Sequence, residues 1–185
     1  MRSREVNLNF KTIERNKLFE GRVLNLYKDT IKYDDGNVEY REIVEHYGGS
    51  VILAMPDDNS MILIKQFRHP INKVIYELPA GKLNLNEDPL ECAKRELKEE
   101  TGFEAKHWEK IISFYTSPGY SSEVLHIFLA KNLTAGEQKL EPGEKHIKIL
   151  TLSFDEAIKK IKNDEIVDGK TIIGILLAND LLNNR

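Results

Sequence analysis

The segment from Gly81 to Phe103 constrains this chain most, because it encodes one helix whose charges work against it. It reads Gly81-Lys82-Leu83-Asn84-Leu85-Asn86-Glu87, then seven residues, then Arg95-Glu96-Leu97-Lys98-Glu99-Glu100-Thr101-Gly102-Phe103. Asp88 has the chemistry of an N-cap, Pro89 suits a first helical position, and Gly102 suits the stop. On a helix over Pro89–Thr101, Glu96, Glu99 and Glu100 fall within an arc of roughly 100°. Leu90, Ala93 and Leu97 form the adjacent arc, which is predicted to face a core. A like-charged pair at i,i+4 costs about 0.2–0.5 kcal/mol. Negative charge in the C-terminal half of a helix costs about 0.3–1 kcal/mol more. Arg95, at i,i+4 from Glu99, relieves part of this. Two readings remain open: a solvated acidic face, or a site where a divalent cation reverses every one of these terms. Hard carboxylate oxygens would select magnesium, manganese or calcium over zinc.

The spacing separates the two readings. Gly81, Glu87, Arg95-Glu96-Leu97, Glu99-Glu100 and Gly102-Phe103 resemble the Nudix box at every defined position. Seven fixed identities at roughly 6% usage each, plus two apolar sites, arise by chance on the order of once in a billion starts. The resemblance implies an α/β/α sandwich with a mixed sheet, and hydrolysis of a nucleoside diphosphate linked to another group with a divalent metal.

Composition is that of a globular enzyme, with 41% hydrophobic and 31% charged residues in 185. A net charge of −3 gives no basic footprint for nucleic acid. No apolar run reaches the roughly 18 residues of a membrane span, and Met1-Arg2-Ser3-Arg4-Glu5 has no apolar signal core. One cysteine, Cys92, excludes an intramolecular disulfide and reads as a small buried residue of the box helix. A cytoplasmic enzyme is the expectation.

Along the chain, alternating residues from about 8 to 46, interrupted by Asp34-Asp35-Gly36-Asn37, predict a small antiparallel sheet. Gly48-Gly49 marks a break, so the expected division is 1–48, an N-terminal β unit serving dimerisation, and 49–185, the catalytic domain. Apolar runs predict strands at Val51–Met55, Met61–Gln66, Ile111–Tyr115, Val124–Ala130 and Ile147–Leu152. Ser153-Phe154-Asp155-Glu156 carries a capping-box pattern opening a helix to about Lys162, and a last helix runs from about Lys170 to Leu182. The fold class is therefore mixed α/β of the α+β type, with a small antiparallel sheet ahead of the sandwich.

Outside the box, Arg41-Glu42-Ile43-Val44-Glu45-His46, Gln66-Phe67-Arg68 with Glu77-Leu78-Pro79-Ala80-Gly81, and Ser117-Pro118-Gly119 resemble the ADP-ribose pyrophosphatase branch. Asp168-Gly169-Lys170-Thr171 extends the likeness to the last helix. The branch implies magnesium, with manganese an alternative, acting on ADP-ribose to give AMP and ribose 5-phosphate in a homodimer. GDP-mannose hydrolases share part of these features and are the second reading; a silent nucleotide-binding sensor is the reading from a different class.

By the same resemblance, Glu96, Glu99, Glu100 and the carbonyl of Ala80 would hold metal, with Gly81 permitting close approach. Arg68 would clamp phosphate. Arg41 would touch the nucleotide end, Glu77 would contact adenine or hold a loop, and Pro118 and Gly119 would line the ribose wall. Glu123 reads either as a metal ligand or as a loop residue. The general base would come from the segment Thr134 to His146. Glu144 is the choice, with Glu141 and Glu99 behind it, although Lys145 stands where relatives carry an acid. The five histidines do not cluster, and His126 is expected to be interior. Trp108 reads as a base-stacking candidate or as core.

Overall fold

In a computed structural model, residues 9–140 and 146–183 are described. The strands are β1 (Phe10–Glu20), β2 (Asn25–Tyr33), β3 (Val38–Glu45), β4 (Gly49–Ala54), β5 (Ser60–Arg68), β6 (Lys73–Glu77), β7 (Ala80–Lys82), β8 (Phe103–Tyr115), β9 (Val124–Ala135) and β10 (Lys148–Ser153). The helices are α1 (Pro89–Thr101), α2 (Phe154–Lys162) and α3 (Gly169–Asn183). Among the described residues no helix is long and apolar enough to cross a membrane. The chain forms two compact units. One ends at Tyr47 and takes in Tyr115–Glu123; the other spans Gly48–Phe114 and resumes at Val124.

The first unit is the small antiparallel sheet, in the order β1-β2-β3. Its second turn closes where the Asp-Asp-Gly-Asn signal stands. The Gly36 N–H donates to the Tyr33 carbonyl at 3.0 Å with Gly36 at φ +91°, a backbone state that costs glycine nothing. Ile13, Leu18, Phe19, Val38 and Tyr40 are exposed on this sheet. Residues 115–123, which sequence alone counts with the later domain, join this unit. The Val44 N–H donates to the Tyr120 carbonyl at 2.7 Å and the Ser122 N–H to the Val44 carbonyl at 3.0 Å.

In the second unit β7-β4-β9-β8 form one sheet, with β4 parallel to β9 and antiparallel to β7. A second sheet, β10-β5-β6, is antiparallel throughout. Strand β4 is buried along its whole length, and its side chains alternate between two cores. Val51 and Leu53 pack with Phe154 and Ala157 of α2 and Ile175 and Ala178 of α3. Ile52 and Ala54 pack with Ala93 and Leu97 of α1. Ile127 and Leu129 against Phe128 and Ala130 repeat the alternation on β9. A strand buried on both faces reads as a continuous apolar run, which is why Val51–Met55 was visible in the sequence.

Two features escaped the sequence. Strands β6 and β7 flank Leu78-Pro79 and are too short to show a period. Strand β8 begins at Phe103 rather than near Ile111 because its first half, Phe103 to Lys110, is mostly exposed and polar.

The box helix starts and stops as its residues require. The Asp88 carboxylate accepts from the N–H groups of Leu90 and Glu91 at 2.9 and 3.3 Å. Gly102, at φ +74°, donates its N–H to the Lys98 carbonyl. On α2 the capping box is formed, with Ser153 and Glu156 bonding reciprocally. Asp88→Ala should remove about 0.5–2 kcal/mol. In a calorimetric melt this is roughly a 1–8 °C drop in Tm; an unchanged Tm would show that α1 is held by its packing alone.

Candidate active site

The loop before α1 brings the backbone of β7 against the glutamates of the helix. The Ala80 N–H donates to Glu100 Oε2 at 2.9 Å. A Cβ built on Gly81 would overlap the carboxyl group of Glu96. A side chain there would displace the Glu96 carboxylate from its present position, so the glycine matters for space and not for backbone freedom. Glu96 and Glu100 are both buried, at 8% and 1% exposure, so carboxylates on a helix face that sequence could read as solvated are instead enclosed.

Arg95 is what makes this tolerable. Its Nε and Nη2 grip Glu87 at 2.8 and 2.9 Å, and its Nη1 reaches Glu96 at 2.5 Å and Glu99 at 3.1 Å. Nη2 also donates to the Lys82 carbonyl at 3.3 Å. The hydrogen bond it donates to Glu87 is the largest of several influences that push the guanidinium further into its charged form. Glu87 in turn is held below the ordinary carboxylate range, first by Arg95. It also accepts from the Asn84 N–H at 2.8 Å, tying the loop to the helix. Cys92 lies buried beneath, its thiol pushed up to about 11 chiefly by desolvation, so it is not a nucleophile at neutral pH.

A second charged cluster sits at the end of β5. Arg68 binds Glu77 through Nε and Nη2, each at 2.6 Å, and Lys170 Nζ reaches the same carboxylate at 2.6 Å. Glu77 is 1% exposed. Burial alone would raise its carboxyl, but Arg68 and Lys170 outweigh it and hold the group below the usual range. Arg68 is shifted further into its charged form, first by Glu77, and it also senses Glu100 and Asp168. Asp168 accepts from Lys170 at 3.0 Å and from the Thr171 hydroxyl at 2.6 Å, and that hydroxyl accepts from the Leu78 N–H. The network pins the start of α3 to the turn after β6. Lys170 belongs to the Asp168-Gly169-Lys170-Thr171 motif, but its separation of 93 residues from Glu77 hides the pair in the sequence. Gln66, two residues before Arg68 and on the same face of β5, buries a carboxamide oxygen with no hydrogen-bond partner.

This unit therefore brings together Arg68, Glu77, Ala80, Gly81, Glu96, Glu99 and Glu100. Arg41, Pro118 and Gly119 lie in the first unit. There Arg41 pairs with Glu39 at 2.8 Å and donates to the Tyr33 hydroxyl at 2.9 Å. Pro118 and Gly119 sit in a turn where the Tyr120 N–H donates to the Ser117 carbonyl at 3.1 Å. Glu123 is engaged by the Thr116 hydroxyl at 2.6 Å and by His46 at 3.4 Å, the contacts of a loop residue. Glu144 and Glu141 fall outside the described residues. The chain ahead of them is docked on the end of α1, where the Lys139 N–H donates to the Glu99 carbonyl at 3.0 Å and the Gln138 side chain to the Glu100 carbonyl. His126 is half-buried against the Ser113 hydroxyl at 2.7 Å, and Trp108 packs on the α1 core with its indole N–H on the Ala105 carbonyl.

Among the described residues no three acidic, histidine or cysteine side chains already form a cation-holding group. The reason is visible: Arg95 takes oxygens of Glu96 and Glu99, and Ala80 takes one of Glu100. The donor set nevertheless fits a hard divalent ion, with three glutamates on one arc and a close approach that only Gly81 allows.

The NUDIX domain family model matches residues 46–172. The chain is 41% identical to the ADP-ribose pyrophosphatase of Bacillus subtilis (strain 168), over 91% of this chain and 92% of that protein. It is 40% identical to the methanol dehydrogenase activator of Bacillus methanolicus, over 89% and 90%. At 32% it resembles the GDP-mannose pyrophosphatase of Yersinia enterocolitica, over 86% and 90%. A solved structure described as an ADP compounds hydrolase superposes with a TM-score of 0.83 at 18% identity, covering 96% of both chains, a likeness of fold.

Breaking a buried ion pair by removing one partner costs about 3–5 kcal/mol. Because the folded Glu77 carboxyl is depressed, its contribution is present above the ordinary glutamate value, about 4.3, and lost as pH falls through the folded value. Glu77→Gln should therefore be clearly less stable than wild type at pH 7, with the gap narrowing below about pH 4 in urea titrations. A gap that does not change with pH would mean the pair contributes shape and not charge.

Proposed function

The chain belongs to the Nudix family, and from that premise we propose that it is a magnesium-dependent hydrolase splitting ADP-ribose into AMP and ribose 5-phosphate. The observation that carries this reading is one arrangement: the arc of buried Glu96 and Glu100 with half-buried Glu99 beside a Gly81 cradle, in the unit that also holds the Arg68–Glu77–Lys170 cluster. The identity to the Bacillus subtilis ADP-ribose pyrophosphatase supports the substrate.

Water adds to one phosphorus, the bridging P–O bond breaks, and the leaving phosphate departs with one sugar. Glu96, Glu99, Glu100 and the Ala80 carbonyl would hold magnesium, or manganese in its place. Such an ion neutralises diphosphate charge and can make water nucleophilic. Gly81 leaves room for that approach. Arg68 is fixed by Glu77 through Nε and Nη2, which leaves its Nη1 edge to a phosphate oxygen. In this reading Glu77 works by holding Arg68, and Lys170 keeps that carboxylate charged. Arg95 orients Glu96 and Glu99 through its fork. Glu144 is the general base, reached from a chain segment docked on the carbonyl end of α1. Arg41, Pro118 and Gly119 contact the nucleoside and ribose ends.

A homodimer in the cytoplasm is part of the proposal, with residues 1–48 forming a dimerisation unit and 49–185 the catalytic domain. The apolar side chains exposed on β1 and β3 support it, since a three-stranded sheet is marginal in water without a partner surface. Sedimentation equilibrium that gives a monomer at micromolar concentration would refute that part alone.

The GDP-mannose reading is favoured by the Yersinia enterocolitica relative. Chromatography of ADP-ribose, GDP-mannose and ADP-glucose incubated in parallel with magnesium ranks the two. AMP and ribose 5-phosphate should appear fastest and disappear with EDTA. Tight binding without product would instead mark a sensor. Glu96→Gln with Glu100→Gln should lower turnover by roughly 10²–10⁴-fold, the equivalent of several kcal/mol of lost charge stabilisation. Glu144→Gln should lower turnover by about 10²–10⁴-fold if it moves the proton. An unchanged rate there would transfer the role to Glu141 or Glu99.

A further inference from the structure

Strand β5 has two faces, and the second one is not used by the site described above. Gln66 and Arg68 alternate with Lys65 and Phe67, so the latter two point away from the Arg68–Glu77 pair. On that far face a groove of about 440 Å³ is lined by Lys65, Phe67, Val74, His146 and Lys148. Its register is unusual. Lys65 on β5 lies directly opposite Lys148 on β10, and Phe67 lies opposite Val74 on β6.

Like charges directly opposite each other on neighbouring strands are destabilising. Edge strands often carry lysines that block aggregation, which accounts for Lys148 on β10. It does not account for Lys65, because β5 is the middle strand of the three. Lys65 stacks over the Tyr76 ring at 4.4 Å, and neither Lys65 nor Lys148 makes an ion pair among the described residues. Apolar surface lies between the two charges: Val74 is 62% exposed and Phe67 38%. The Phe67 ring meets His69 and His146 edge-on, each at 6.4 Å between centroids.

The contrast with the groove on the outer side of α1 is instructive. There Lys94 is paired with Glu91 at 2.7 Å and Lys98 with Glu104, so the cations beside Trp108 are already neutralised. On the far face of β5 no such ion pair forms among the described residues. A volume within the 300–1,000 Å³ of small-molecule sites argues for a compact ligand and not a macromolecule.

We propose that the groove on the far face of β5 binds a nucleoside monophosphate, with its phosphate between Lys65 and Lys148 and its base against Phe67 and His146. An anion placed there converts the repulsion of the lysine pair into attraction. The aromatic floor presents a ring surface to a planar base.

The test uses AMP, with inorganic phosphate as the control probe, in isothermal titration calorimetry without divalent cation. The choice of AMP rests on the proposed reaction, but the readout is binding alone, so a failure of that reaction would not affect it. Wild-type protein should take up AMP in a class of sites whose affinity falls with added salt. Lys65→Glu with Lys148→Glu should weaken that class by at least about tenfold, as should Phe67→Ser, while Arg68→Ala leaves it in place. Lys148→Ala, a single change at an exposed position, should weaken it about threefold with an unchanged Tm, which keeps the test valid should the double variant misfold. Nucleotide-sugar turnover without AMP should be unchanged in Lys148→Ala. AMP uptake lost only in Arg68→Ala would overturn the proposal, as would unchanged uptake in Lys148→Ala and Phe67→Ser, or phosphate binding as tightly as AMP.

Discussion

The structure turns on a single guanidinium. Four glutamates, at 87, 96, 99 and 100, crowd the loop and helix that carry the site, and two of them are buried. Unpaired carboxylates so enclosed would cost several kcal/mol each and would protonate or turn outward. For Glu96 Arg95 prevents that, spending all three of its nitrogens inside the cluster: two on Glu87, one shared by Glu96 and Glu99, with Nη2 also on the Lys82 carbonyl, while Glu100 accepts from the Ala80 N–H. A lysine could not do the same. A point charge has no fork to bind one carboxylate bidentately while reaching two others. The spacing from Glu87 to Arg95 is what lets a loop residue and a helix residue share the fork.

The sandwich follows from where that helix must lie. With its acids turned toward β7, α1 has Ala93 and Leu97 left to face Ile52, Ala54 and Phe128. That commits one face of β4 and β9 to α1, and alternation hands the other face to α2 and α3. Burial on both sides removes water from β4, while β7, at the edge of the same sheet, keeps its Ala80 N–H for Glu100. Core and site are thus built by the same strands, and the dielectric that strengthens the charge pairs comes from the apolar residues alongside them.

Much of this was legible because it is local. The Asp88 cap, Pro89, the Gly102 stop and the buried run of β4 are each written within a few consecutive residues. The Nudix box spacing, which includes Glu96, Glu99 and Glu100, is equally local. What was not legible is non-local or too short to have a period. Glu77 gave two open readings because its partners, Arg68 and Lys170, lie 9 and 93 residues away. That Gly81 leaves the Glu96 carboxylate its place depends on a contact made only after β7 meets α1. The first half of β8 escaped because its core-facing residues, Phe103, Ala105 and Trp108, are only partly buried and stand among charged ones. Loop 115–123 was assigned by its place in the chain, whereas its backbone bonds run to β3.

The two clusters differ in what their burial is for. Glu77 is saturated: two cations hold it, its carboxyl is depressed, and Lys170 reaches it from a helix that Asp168 and Thr171 have already fixed. Such a group is poor at binding anything further and good at holding Arg68 still. Glu96 and Glu99 share one nitrogen of Arg95, and Glu100 has a backbone N–H on Oε2. A carboxylate has about four acceptor positions, and among the described residues no lysine or arginine holds both oxygens of any of these three in the way that Arg68 and Lys170 hold Glu77. Saturation at β6 gives a rigid positive edge, and the clustered carboxylates of α1 give a negative one. A diphosphate, which is anionic and carries its own counter-cation, needs both kinds of surface in one site.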